Sequence, residues 1–195
     1  MSTSLSPKLV VPRLRGRFGR PYLYAEVCPS TQRLLDEKHS EGAVALTEEQ
    51  TEGRGRLGRQ WLSPREVSLL FSILLEPPVE TQRLPELSLV AGEACAEAIA
   101  AVTGLEPEIK LPNDILVSGR KTAGILAEAR DGRVVLGIGI NVNVPPDELP
   151  TEVDRPATSL LVEAGAEIDR AELLIELLSV LERRYDEWVA AARGT

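Results

Sequence analysis

Between Ile109 and Ile140 the chain alternates apolar runs with tight-turn signals so closely that an antiparallel sheet is the main arrangement able to accommodate it. Pro112 interrupts the first run after Ile109-Lys110-Leu111, and Asn113-Asp114 stand where extended structure resumes through Ile115-Leu116-Val117. Ser118-Gly119-Arg120-Lys121 predicts a hairpin turn, Thr122 to Glu128 the returning strand, and Asp131-Gly132 a two-residue turn into a strand from Arg133 to Ile140. Gly137 and Gly139 leave one face of that strand bare, so a ligand or a neighbouring strand is expected to press on its backbone.

The rest of the pattern supplies further strands and the helices. Tyr22–Cys28 has strand composition, and Ser30 stands where it could cap a helix through Leu34 and Leu35 towards His39. Ala43–Thr47 reads as a second strand, and Leu69–Leu75 is apolar enough for burial on both faces. Leu87, Val90, Ala91, Ala94, Ala98 and Val102 fall at helical spacing, closed by Gly104. A short helix is expected around Ser159–Val162, ended by Gly165. A long one runs from Asp169 to Ala192, with Asp169 and Glu172 at capping-box spacing and a stripe through Leu173, Leu174, Leu177, Leu178, Leu181, Tyr185 and Trp188. That helix is expected to pack on the sheet, with a homodimer interface as the second reading. Residues 1–20, which carry Arg13, Arg15, Arg17 and Arg20, read as a basic, mobile arm ahead of the main domain at 21–195. The expected fold class is α+β, a mixed β-sheet with helices packed on one face.

The chemistry concentrates in one loop. In a 195-residue protein of net charge −8, Gly53, Gly55 and Gly58 alternate with Arg54, Arg56 and Arg59 directly after a strand, and Trp61 follows. Arginine forks suit phosphate and carboxylate oxygens, and glycines let the backbone approach a ligand. The acidic balance disfavours a polyanion, so a small anion such as a nucleotide is the expected guest and DNA is not. His39 is the single histidine, which leaves a Ser-His-Asp triad or a histidine zinc site little to work with. Cys28 and Cys95 lie in apolar surroundings and read as buried reduced thiols. No run approaches the ~20 apolar residues of a membrane helix, and Met1-Ser2-Thr3-Ser4 lacks the apolar core of a secretory signal, which points to the cytoplasm and away from membranes.

Taken together, Gly53–Trp61, Lys110-Leu111-Pro112-Asn113-Asp114, Lys121-Thr122-Ala123-Gly124-Ile125-Leu126 and Gly139-Ile140-Asn141 resemble, in order and spacing, the catalytic domain of biotin protein ligases over residues 22–188. The resemblance implies a class II aminoacyl-tRNA synthetase-like fold. It also implies a two-step reaction: biotin and ATP, with Mg²⁺ on the ATP phosphates, give biotinyl-5′-AMP, and the acyl group then passes to a lysine of the biotin carboxyl carrier protein of acetyl-CoA carboxylase.

By position, Ser30, Thr31, Gln50, Gly53, Arg54, Lys121, Gly124 and Gly137 would bind biotin. Arg54, Arg56, Arg59, Trp61, Lys110, Asn113 and Asn141 would meet ATP or the adenylate, with Lys121, Arg56 and Asp114 catalytic and no protein metal site. Asp114 would orient Lys121 or a Mg²⁺-bound water, or serve the hairpin alone. Leu111 departs from the family's usual tryptophan, which puts local packing in question. Neither a helix-turn-helix domain before residue 20 nor an SH3-like domain after Trp188 is expected. A lipoate or octanoate enzyme of the same fold and a non-catalytic biotin-binding module are the alternatives.

Overall fold

The computed structural model describes residues 5–151 and 156–194. Its elements run α1 (Pro7–Val10), β1 (Tyr22–Cys28), β2 (Val44–Gln50), β3 (Leu69–Leu75), α2 (Leu87–Thr103), β4 (Glu108–Lys110), β5 (Asp114–Val117), β6 (Arg120–Arg130), β7 (Arg133–Ile140), α3 (Leu160–Ala164) and α4 (Arg170–Arg193). The strands form one seven-stranded sheet in the order β1-β2-β3-β7-β6-β5-β4, parallel between β1 and β2 and antiparallel elsewhere. This is the mixed α+β sheet expected. Both predicted hairpins form through pairs of positive-φ residues, Ser118 and Gly119 (52° and 74°) and Asp131 and Gly132 (51° and 79°), whose twist matches that of the strands they join. The first turn is tighter than expected. β6 already starts at Arg120, so Lys121 sits on a strand and inherits its rigidity.

Register sorts the side chains onto two different faces. Leu46, Phe71, Ile138 and Ile125 stand in one row across β2, β3, β7 and β6, all buried against α2 and α4 in the main core. One residue along, with the opposite facing that the pleat imposes, the row reads Ala45, Ser72, Gly137 and Leu126, and the row beyond it Thr47, Leu70, Gly139 and Gly124. One face is thus filled with aliphatic bulk and the other is hollowed out at its centre.

The helices end as the sequence predicts. Asp169 accepts from the Ala171 and Glu172 amides, Ser159 from that of Val162, and Gly104 closes α2 at φ 72°. The principal neighbour of α4 is α2 rather than the sheet. Arg183 and Arg184 clasp Glu97 at 2.5 and 2.7 Å, and the sheet is reached at the N-terminus of α4 through the buried pair Arg170–Glu48 at 2.6 Å. Arg170 also donates to the Ser68 carbonyl, giving the buried guanidinium a second partner.

Two expectations are overturned. From Leu5 onward the basic N-terminal stretch is no mobile arm: Leu5, Val10, Leu14 and Phe18 are buried in the core, and Arg17 binds Glu182 and Asp186 on α4. Arginines facing water between those apolar positions concealed the stripe; Met1–Ser4 lie outside the described residues. Ser30 starts no regular α-helix and makes no side-chain cap. Only a single 3₁₀ turn, Thr31–Arg33, follows it, and Leu34 and Leu35 pack over part of the hollowed face with Ala43, Ala45, Leu74 and Val135. Both cysteines are free and buried. Burial pushes the Cys95 thiol up to about 12 and raises that of Cys28. Among the described residues no helix is long and apolar enough to cross a membrane.

Candidate active site

The arginine loop leaves the end of β2 and folds back on itself. The Gly55 amide donates to the Arg59 carbonyl (2.8 Å) and the Trp61 amide to that of Gly53 (3.0 Å). A Cβ at Gly53 would stand 2.2 Å from the Trp61 carbonyl oxygen, so only glycine fits there. This closure delivers Trp61 onto the hollow face. Its ring lies so near that a Cβ on Gly139 or Gly124 would approach it to 2.7 or 2.8 Å, and its Nε1 is buried with no hydrogen-bond partner. Gly139 of β7 and Gly124 of β6 therefore form a cradle for an aromatic ring, and the group that presses on the bare face is the chain's own Trp61 rather than the ligand or neighbouring strand expected.

Lys121 leans over the same cradle. Its Nζ is 2.7 Å from Asp114 Oδ1 and 5.6 Å from the centroid of the Trp61 ring, within cation–π range. The backbone of Lys121 is held on both sides: its amide donates to Pro156 and its carbonyl accepts from Thr158, each at 2.9 Å. Asn141 is buried, and its amide donates to the Thr158 carbonyl at 3.1 Å, bracing the segment behind the lysine. Arg120, next in sequence, pairs with Glu163 of α3 at 2.7 Å. Lys121 is thus a flexible stem on a fixed base.

Around this pair the sequence-predicted residues fall into three groups. At one end of the hollow, Ser30 and Thr31 are buried, the Thr31 amide donates to Gln50 Oε1 (2.9 Å), and Thr31 Oγ1 meets Ser72 Oγ at 2.7 Å. Above Lys121, Arg56 reaches the Asn113 amide oxygen at 3.4 Å while Asn113 Nδ2 donates to the Ile125 carbonyl. The third group stands apart. Arg59 lines, with Arg33, Glu52 and Arg54, an outward-facing cavity of about 320 Å³ that Lys121 does not border. Lys110 is the register partner of Asp114 but is exposed. Leu111, the departure from the tryptophan pattern, is 65 % exposed, so no core packing depends on it.

Sequence reasoning missed Gln32. Its side chain lies across Gly137, where a Cβ would meet it at 3.0 Å, and Nε2 donates to the Leu126 carbonyl at 3.0 Å. Adjacency to Ser30-Thr31 was the only signal available.

A mixed sheet bearing a lysine–carboxylate pair over a glycine cradle, beside an arginine loop, gathers cations and close-approach backbone in one place, an arrangement able to take an anionic group. The chain belongs to the Biotin/lipoate A/B protein ligase family, whose model matches residues 24–144. It is 39% identical over 180 residues to the bifunctional ligase/repressor BirA of Bacillus subtilis, covering 88% of this chain and 55% of that protein. To the biotin--[acetyl-CoA-carboxylase] ligase of Mycobacterium tuberculosis it is 42% identical over 154 residues, covering 76% and 56%. The solved biotin protein ligase of Aquifex aeolicus in complex with biotin and ATP superimposes with a TM-score of 0.77 at 36% identity, over 85% of this chain and 70% of that one. The resemblance carried by the four motifs is therefore borne out. The chain spans about half the length of the curated relatives it matches.

Proposed function

We propose that this domain forms biotinyl-5′-AMP from biotin and ATP with release of pyrophosphate, then transfers the biotinyl group to a lysine of a biotin carboxyl carrier protein. The observation that carries the reading is the Lys121–Asp114 pair poised over Gly124 and against Trp61. It is supported by relatives named as biotin ligases and by a solved neighbour that holds biotin and ATP.

The first step joins a carboxylate oxygen to the α-phosphorus and breaks the bond to the β-phosphate, so two anions must approach while charge builds on the leaving group. Lys121, rigid at its backbone and oriented by Asp114, offsets the charge at the reacting carboxylate, and Arg56 offsets that of the phosphate. At ~4 Å and an effective dielectric of ~20, one such cation is worth on the order of 4 kcal/mol before desolvation. Thr31, Gln50 and Ser30 offer neutral hydrogen-bonding groups to a neutral ureido head, and Trp61 offers an aromatic face to the adenosine. Asn113 and Asn141 line the nucleotide end in this reading, with Arg59 and Lys110 at its rim. Mg²⁺ carried in on the ATP phosphates would neutralise part of their charge. In the second step the carrier amine attacks the acyl carbon and AMP leaves.

An octanoyl transfer through a cysteine thioester is disfavoured, because both thiols are buried and hard to ionise. The test is biotin-dependent exchange of labelled pyrophosphate into ATP. Lys121→Ala should lower exchange about a thousandfold, as loss of ~4 kcal/mol from a transition state requires, while biotin binding by calorimetry persists. Exchange that survives in the variant would refute the role of Lys121, and binding without exchange in the unmodified chain would make it a biotin-binding module.

A further inference from the structure

Resting on that reading, we infer that Glu128 is a positioning residue that latches the arginine loop to the catalytic strand, and that Arg54 spends its charge on this latch instead of on the phosphates. Glu128 lies on β6, four residues beyond Gly124 on the hollow face. Arg54 meets it as a two-pronged fork, Nη2 to Oε1 at 2.7 Å and Nη1 to Oε2 at 3.0 Å. That geometry occupies the planar donor edge a phosphate would need.

Arg130 adds a weaker contact to the same carboxylate at 3.5 Å, and two residues before Arg54 on the same limb Glu52 pairs with Arg33 at 2.6 Å. The glycine-rich loop, with Leu57 and its neighbours exposed, has little apolar contact of its own to keep it closed. Two ion pairs therefore fasten its outgoing limb, one to the 3₁₀ turn carrying Thr31 and one to the strand carrying Lys121. Cations on the loop divide accordingly: Arg54 faces a carboxylate, whereas Arg56 faces the neutral amide oxygen of Asn113. Closure by Arg54 and Glu128 shields a hydrolysable acyl adenylate from water.

Glu128→Gln removes the charge and keeps the shape. In the ligand-free protein, tryptic cleavage after the exposed Arg56 and Arg59 should speed up about fivefold, the measure of a partly exposed ion pair. In exchange assays the same variant should raise the biotin KM about fivefold with kcat changed less than twofold, and adenylate should dissociate faster by a similar factor. The charge swap Arg54→Glu with Glu128→Arg should restore slow cleavage at Arg56 and Arg59 and the low KM. Unchanged cleavage in Glu128→Gln would overturn the latch. A rise in ATP KM in Arg54→Ala beyond that seen in Glu128→Gln would overturn it too, since it would mean that Arg54 serves the phosphates. The cleavage assay needs no ligand, so it stands or falls independently of the biotin ligase reading.

Discussion

The two faces of the one sheet are built from the same strands and obey opposite rules. On the helix side, the row Leu46, Phe71, Ile138 and Ile125 is buried in the main core, to which α2 and α4 also contribute, and each side chain contributes by filling space. Across the pleat, Ser72, Gly137, Gly139 and Gly124 contribute by leaving space, which Gln32 and Trp61 partly occupy. A hollow face costs stability that the filled face must supply, and this is why the apolar bulk is so unevenly shared between them. In strands of period two, the division can run down to single neighbours: Ile138 is core, and the glycines on either side of it line the hollow.

The comparison can be broken or sharpened by substitution. Leu136→Ala empties a fully buried position on the helix side and should cost about 2–5 kcal/mol by denaturant unfolding, with exchange per folded molecule unaltered. If activity fell as steeply as stability, the faces would not be separable. Gly139→Ala tests the other side. The added methyl would stand 2.7–3.0 Å from the Trp61 ring, and a ring displaced by about 1 Å should lower exchange up to ~100-fold while unfolding shifts by less than about 1 kcal/mol.

The control for that substitution is Gly92→Ala in α2. There a new Cβ would find ordinary contact with Ile109 at 3.5 Å, and the unfolding assay should register a gain of about 0.5–1 kcal/mol from helix propensity. A smaller effect comes from acid. Partial burial works against the Glu97 charge, but hydrogen bonds from Arg184 and Arg183 outweigh it and hold the carboxyl below its ordinary 4.5. The unfolded chain thus binds this proton more readily, so the clasp between α2 and α4 stabilises fully above about 4.5 and fades as pH falls through the lower folded value. Melting temperature against pH should decline less steeply below that point in Glu97→Gln than in the unmodified chain.

How much could be read in advance differed between these regions. The hairpins were legible because Ser118-Gly119 and Asp131-Gly132 are local signals that need no partner. The family motifs were legible because glycine and arginine at fixed spacing are distinctive before any contact is known. The first twenty residues misled because their apolar face, Leu5, Val10, Leu14 and Phe18, is irregularly spaced and becomes a core stripe only once α4 is beside it. Ser30 misled for a related reason, since a capping residue and a residue simply buried look alike until the sheet beneath them is in place.

What the sequence determined by itself was therefore local: which stretches extend, where they turn, where each long helix starts and stops, and which loop concentrates glycine and arginine. Those follow from backbone sterics, hydrogen-bonding side chains and charge, all of which act over a few residues. The tertiary structure decided that Gly124 and Gly139 would face Trp61 while Gly137 faces Gln32, and that Arg54 would turn to Glu128, seventy-four positions away. Such choices depend on strand order and register, which bring distant residues within a few ångströms, and no spacing along the chain encodes them.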